Sequence, residues 1–128
     1  MAAAAAIAVV VSAAPAMATG YSGSWPVTVT HSQRSNGTGC LTLTGNAGAG
    51  TASLVFGSQK YSYGSFVVVN GILVTNITEP LYGQNGALMF IAHANHGHIG
   101  QGVFENIEGG SNFDYGALTF GMKNGCAM

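Results

Sequence analysis

The sequence predicts an all-β domain: a single antiparallel β-barrel or compact β-sandwich of about seven to eight strands joined by hairpins. Three observations carry this. From Ser24 onward, short apolar runs alternate with clusters of Gly, Asn and Ser, the spacing of strands and turns rather than of helices. Asn70-Gly71 alone separates Ser65–Val69 from Ile72–Ile77, and this dipeptide suits a two-residue type I′ turn because both of its residues need positive φ. Finally, the chain has two cysteines, Cys40 and Cys126, whose pairing would close a small domain over most of its length.

The elements follow in order. Met1 to Ala18 is an apolar, Ala-rich run ending in Ala16-Met17-Ala18, the small-x-small pattern that a signal peptidase cuts. Residues 1–18 are thus expected to be a signal peptide and 19–128 a single β domain, secreted or periplasmic after cleavage near Ala18. The leader has no Lys or Arg before Arg34, which suggests a start upstream of Met1. The alternative is that this run is an uncleaved membrane anchor, but Ala is a poor substitute for Leu in a bilayer, and no membrane span is expected in the mature chain. An exported chain meets an oxidising compartment, where Cys40 and Cys126 should be bonded.

Trp25, Val27, Val29 and His31 alternate with Thr28 and Thr30, and Leu41 and Leu43 with Thr42 and Thr44. Each set reads as a half-buried strand. A third strand is expected at Thr51–Phe56 after a Gly-rich loop from Gly45 to Gly50. In Ser65–Val69 both faces are apolar, Phe66 and Val68 on one and Val67 and Val69 on the other, which predicts a central place in the sheet. Further strands are expected at Ala87–Ala92 and Ala117–Lys123. Residues 102–108 are ambiguous: Gly102–Ile107 reads as a short strand, while Ile99, Val103 and Ile107 repeat at the spacing of a helix face. In a level meander an eighth strand would end about 20 Å from Cys40, so the disulfide favours seven strands and a short helical turn near residues 102–108.

Composition narrows the function. Only 5% of the residues are charged and the formal net charge is −1, so no basic stripe exists to neutralise phosphates and nucleic acid is not an expected partner. Weak charge also leaves copies little mutual repulsion, which makes self-association possible. No Gly-x-Ser-x-Gly elbow occurs, and nothing sets two carboxylates across a cleft. No catalytic residue is assigned and an enzyme is not expected. His93, His96 and His98 fall within six residues. Imidazole is a common ligand of zinc and copper, so these three form a candidate metal site, while otherwise no cofactor is expected. Tyr61, Tyr63, Tyr82 and Tyr115 lie in or beside Gly-rich segments, where a flat ring with a polar tip could stack on a glycan or pack on a surface or protein partner.

Gly23-Ser24-Trp25 resembles the Gly-x-Trp opening of calycin barrels such as lipocalins and avidins. The resemblance implies a barrel that binds a small apolar ligand, with Val27, Val29, Leu41, Leu43, Phe66 and Val68 lining the cavity. It also implies that Trp25 packs near the closed end with a basic residue from the last strand, for which Lys123 is the candidate. The same apolar residues would equally fill a sealed core. The leading expectation is a non-catalytic secreted binding or interaction module. A calycin-like ligand barrel and a histidine metal site are the alternatives.

Overall fold

The computed structural model describes residues 20–32, 36–57, 59–81, 84–108 and 112–126. The expected signal peptide and Tyr82 lie outside the described residues. Eight strands follow one another: β1 (Gly23–Ser32), β2 (Gly37–Asn46), β3 (Ala49–Phe56), β4 (Gln59–Val69), β5 (Ile72–Leu81), β6 (Gln84–Asn95), β7 (His98–Glu108) and β8 (Asn112–Phe120). Each pairs antiparallel with the next, and β8 pairs back onto β1, closing a barrel. Closure settles the choice between barrel and sandwich, and it leaves no strand with an unpaired edge.

Turn chemistry fixes the hairpins. Asn70 and Gly71 take φ of 53° and 78°, the type I′ pattern that the dipeptide predicts, and they set Val69 opposite Ile72 and Val67 opposite Val74. His96 and Gly97 repeat this at the β6–β7 turn with φ of 50° and 78°. The segment from Gly45 to Gly50 is not the expected loop. It is the tip of a long hairpin in which Asn46 pairs with Ala49 and the Gly48 carbonyl accepts from the Val68 amide at 2.8 Å.

Inward-facing side chains from all eight strands form one core, including Trp25, Val27, Leu41, Leu43, Leu54, Phe66, Leu73, Ile77, Phe90, Phe104 and Leu118. The Phe90 and Phe120 rings meet with centroids 5.8 Å apart. Small residues make room where the wall is tight. A Cβ on Gly102 would come within 2.3 Å of the Ile91 carbonyl oxygen, so only glycine fits beside Ala92, its partner across the ladder.

Two expectations are corrected here. Residues 102–108 are extended, within β7 and paired on both sides, and the barrel has eight principal strands rather than seven. The four-residue repeat of Ile99 and Val103 has no helical meaning. A register shift between Ala92 and Ala94 opens a bulge in β7, so that Ile99 is buried while Val103 faces water. The disulfide favours seven strands only if the strands end level, whereas a barrel staggers them. Cys40 lies opposite Pro26, and β8 ends with Phe120 opposite Val27. Those positions are neighbours, and six further residues complete the link.

Candidate functional site

The segment 121–126 straps the barrel from β8 to β2 across β1. The Gly121 amide donates to the Pro26 carbonyl at 2.8 Å, and the Asn124 amide donates to the Ser24 carbonyl. The Asn124 side-chain oxygen in turn accepts from the Ser24 amide. Cys126 then bonds Cys40, with Cα atoms 5.9 Å apart. Because Leu41 faces the core, strand alternation puts Cys40 on the outer wall.

The same end of the barrel is covered by residues 20–22. Tyr21 is buried, and its carbonyl accepts from the Trp25 indole N–H at 3.0 Å. The Ser22 hydroxyl donates to the Gly45 carbonyl and accepts from the Gly45 amide. Lys123 Nζ donates to the Gly20 carbonyl at 2.8 Å, so this lysine ties the strap to the lid. Trp25 itself is 1% exposed.

The sequence-derived candidates scatter. Tyr61 is buried in the core, while Tyr63 and Tyr115 stand on the outer wall. The three described candidate tyrosines therefore form no single platform. His93 projects outward from β6 across from Ile72, His96 occupies the tip of the next turn, and His98 pairs with Asn95. All three are exposed. Among the described residues no three His, Cys, Asp or Glu side chains stand where they could hold a metal ion. Of the carboxylates, Glu105 faces out opposite Tyr115, whereas Asp114 on the next strand faces in and is buried. The sheet wall separates this pair.

A feature that the sequence reading missed dominates the exterior. Successive ladders align Val67 with Val74, Val74 with Ile91, Ile91 with Val103 and Val103 with Ala117. The result is an apolar row running around the outside from β4 to β8. Val69 and Ile72 flank it on one side and Met89 on the other. Val103 is 59% exposed and Val69 55%, and Val67, Ile72, Met89 and Ile91 each exceed a third. The outer wall of β1–β3 is the opposite in character, with Thr28 facing Thr38, Thr42 facing Ser53 and Thr44 facing Thr51. The barrel thus has one apolar side and one mainly hydroxylated side, on which Val55 is the exposed apolar residue. One signal for the apolar side was available: the Asn-Gly turn fixes the Val67–Val74 and Val69–Ile72 pairs directly from the sequence.

The fold and its exterior define a closed eight-stranded antiparallel β-barrel with a one-sided apolar wall. Set against known proteins, the chain matches no family model, no curated protein and no solved structure.

Proposed function

We propose that this protein is a non-catalytic, exported interaction module that works from the outside of its barrel, docking through the β4–β7 wall. The observation that carries this reading is the in-register apolar row Val67, Val74, Ile91 and Val103 with Val69, Ile72 and Met89 beside it. Scattered apolar residues are ordinary on a protein surface, but a contiguous patch of this kind is a mark of contact with a partner. The closed barrel offers no edge for strand addition, so recognition falls to side chains. The apolar cover is concentrated on one side, unlike the full girdle of a membrane-spanning barrel. Among the described residues no helix is long and apolar enough to cross a membrane. Export is supported by the disulfide, which suits an oxidising compartment.

The test is retention on a hydrophobic-interaction column and titration with an environment-sensitive apolar dye. Ile91→Thr with Val103→Thr should elute earlier and bind the dye at least fivefold more weakly, with an unchanged near-ultraviolet spectrum from Trp25. Unchanged retention would refute the outer wall as the docking surface.

A second reading places a small ligand inside the barrel, as the calycin resemblance implies. One observation favours it: the Thr75 hydroxyl is fully buried with no hydrogen-bond partner, between Phe66 and Phe90 in the ladders. An apolar molecule retained in native mass spectra of fresh protein would establish that reading.

A further inference from the structure

Resting on the docking reading above, we infer that the occupant of the β4–β7 wall is a second copy of this chain, held face to face about a twofold axis near Val74 and Ile91. A twofold contact requires a surface that complements itself, and this one does. Val74 and Ile91 lie at its middle, opposite one another, with Val67 and Val103 one strand out on either side. A twofold axis lying in the wall at this centre, along the row or across it, sets apolar side chains of one copy against apolar side chains of the other.

Area and charge agree with a self-partner. The six exposed apolar side chains, at about 80 Å² each, offer roughly 500 Å², at the upper end of what a monomer ordinarily shows to water. A standard interface takes about 800 Å² from each partner, with a polar rim around its apolar centre. Here the rim exists: Ser65, Asn76, His93 and Glu105 border the row, and the rings of Tyr63 and Tyr115 extend it. These two rings also matter for shape, because half of a barrel wall is convex and the gap at its margins needs large side chains to fill it. Among the described residues of β4–β7, Glu105 is the only acidic side chain on the outer wall, and it lies on β7 opposite Met89, one strand out from Ile91 rather than on the Val74–Ile91 ladder. Two copies therefore approach without bringing like charges together at the axis.

A lipid surface is the less favoured occupant. Basic side chains are what draw a protein to an anionic bilayer, and the chain has only three Lys and Arg. Lys123 is engaged at the strap on the other side of the barrel.

The experiment is sedimentation of the purified native protein over a concentration series, its N-terminus defined by mass spectrometry. Wild type should pass from monomer to dimer between about 1 and 500 µM. Ile91→Lys and Ile91→Glu should each remain monomeric throughout, while Thr42→Lys on the hydroxylated side should dimerise as wild type does. The decisive sample is an equimolar mixture of Ile91→Lys and Ile91→Glu, in which opposite charges at the axis should restore a dimer. Near-ultraviolet circular dichroism of each variant keeps misfolding from passing as dissociation.

Three results would overturn the inference. The first is a wild-type monomer at 500 µM that still shows the Ile91- and Val103-dependent dye binding, which removes the second copy and leaves the docking wall standing. The second is a dimer that persists in both Ile91 variants, which places self-association elsewhere. The third is a monomer that binds phosphatidylcholine vesicles in an Ile91-dependent manner, which assigns the wall to lipid.

Discussion

Replacing both cysteines, Cys40→Ala with Cys126→Ala, should remove a large share of the domain's stability while leaving the barrel as the folded state. The bond closes a loop of 86 residues, and loop-closure entropy assigns such a loop about 4–5 kcal/mol. Small domains total about 5–15 kcal/mol, so the variant should be marginal rather than unfolded. Packing adds little to the loss. Cys40 lies on the outer wall, half-buried opposite Val55, and the strap keeps its hydrogen bonds from Gly121 and Asn124 to β1. Those bonds contribute about 1 kcal/mol each when the strap is in place. The assay is urea unfolding followed by the fluorescence of Trp25, the one tryptophan in the chain. The expected result is a loss of about 3–5 kcal/mol, a steeper denaturant dependence because the unfolded chain expands further, and a midpoint temperature lower by roughly 15–25 °C. A loss below about 1 kcal/mol would refute the reasoning, since it would mean that the unfolded chain gains little freedom when the bond is absent.

Other substitutions probe the core and the wall. Thr75→Val exchanges a buried hydroxyl without a partner for a methyl of similar shape, and should raise stability by about 1 kcal/mol in the same urea assay. Gly102→Ala drives a methyl into the Ile91 carbonyl and should cost about 2 kcal/mol or more, read as an earlier unfolding midpoint. Trp25→Ala empties the covered end beneath Tyr21 and removes the donor to its carbonyl. A loss of about 3–5 kcal/mol is expected by calorimetry. Lys123→Met keeps the aliphatic contact over Gly23 while deleting the bond to Gly20. It should leave the global midpoint within about 1 kcal/mol and speed amide exchange at residues 20–22.

How much of this was legible depends on the range of the signal. Asn70-Gly71 dictates a local turn, and the strands on either side follow from it. The alternation around Leu41 and Leu43 identifies core faces for the same reason, since side-chain direction on a strand has a fixed period. Stagger between strands is a property of the closed barrel, and no single strand records it. That is why a level meander suggested seven strands, and why Cys40 proved to be opposite Pro26, near the last residue of β8. The bulge in β7 is a similar case: it arises from β6 pairing with β7 across Ala92 and Ala94, and it turned an apparent helical repeat into one buried and one exposed residue. The tyrosines and histidines stand out in the sequence by residue type and nearness along the chain alone. Strand alternation alone would put Tyr61 and Tyr63 on one face, but the register shift between Ala52 and Leu54 adds a residue to β4 between them and leaves Tyr61 inward and Tyr63 outward.

The doubly apolar pattern of β4 and β5 carries the remaining step. In an open sheet such a pattern signals layers packed on both faces, and that is how Phe66, Val67, Val68 and Val69 first read. In a closed barrel there is one interior, and it is lined by Phe66, Leu73, Phe90 and their neighbours. The second apolar face of β4–β7 therefore has nothing within the barrel to cover it. On β1–β3 most of the corresponding outward positions are threonines and serines, residues that suit a strand and meet water without penalty, with Val55 the exposed apolar exception. The same fold thus solves the same outward problem in two ways around its circumference. Strand propensity alone would be satisfied equally by Thr or Val at these positions. The concentration of Val, Ile and Met on one side is therefore the observation on which the proposed docking rests, and the paired Ile91→Lys and Ile91→Glu variants ask whether the occupant is the same wall on another copy.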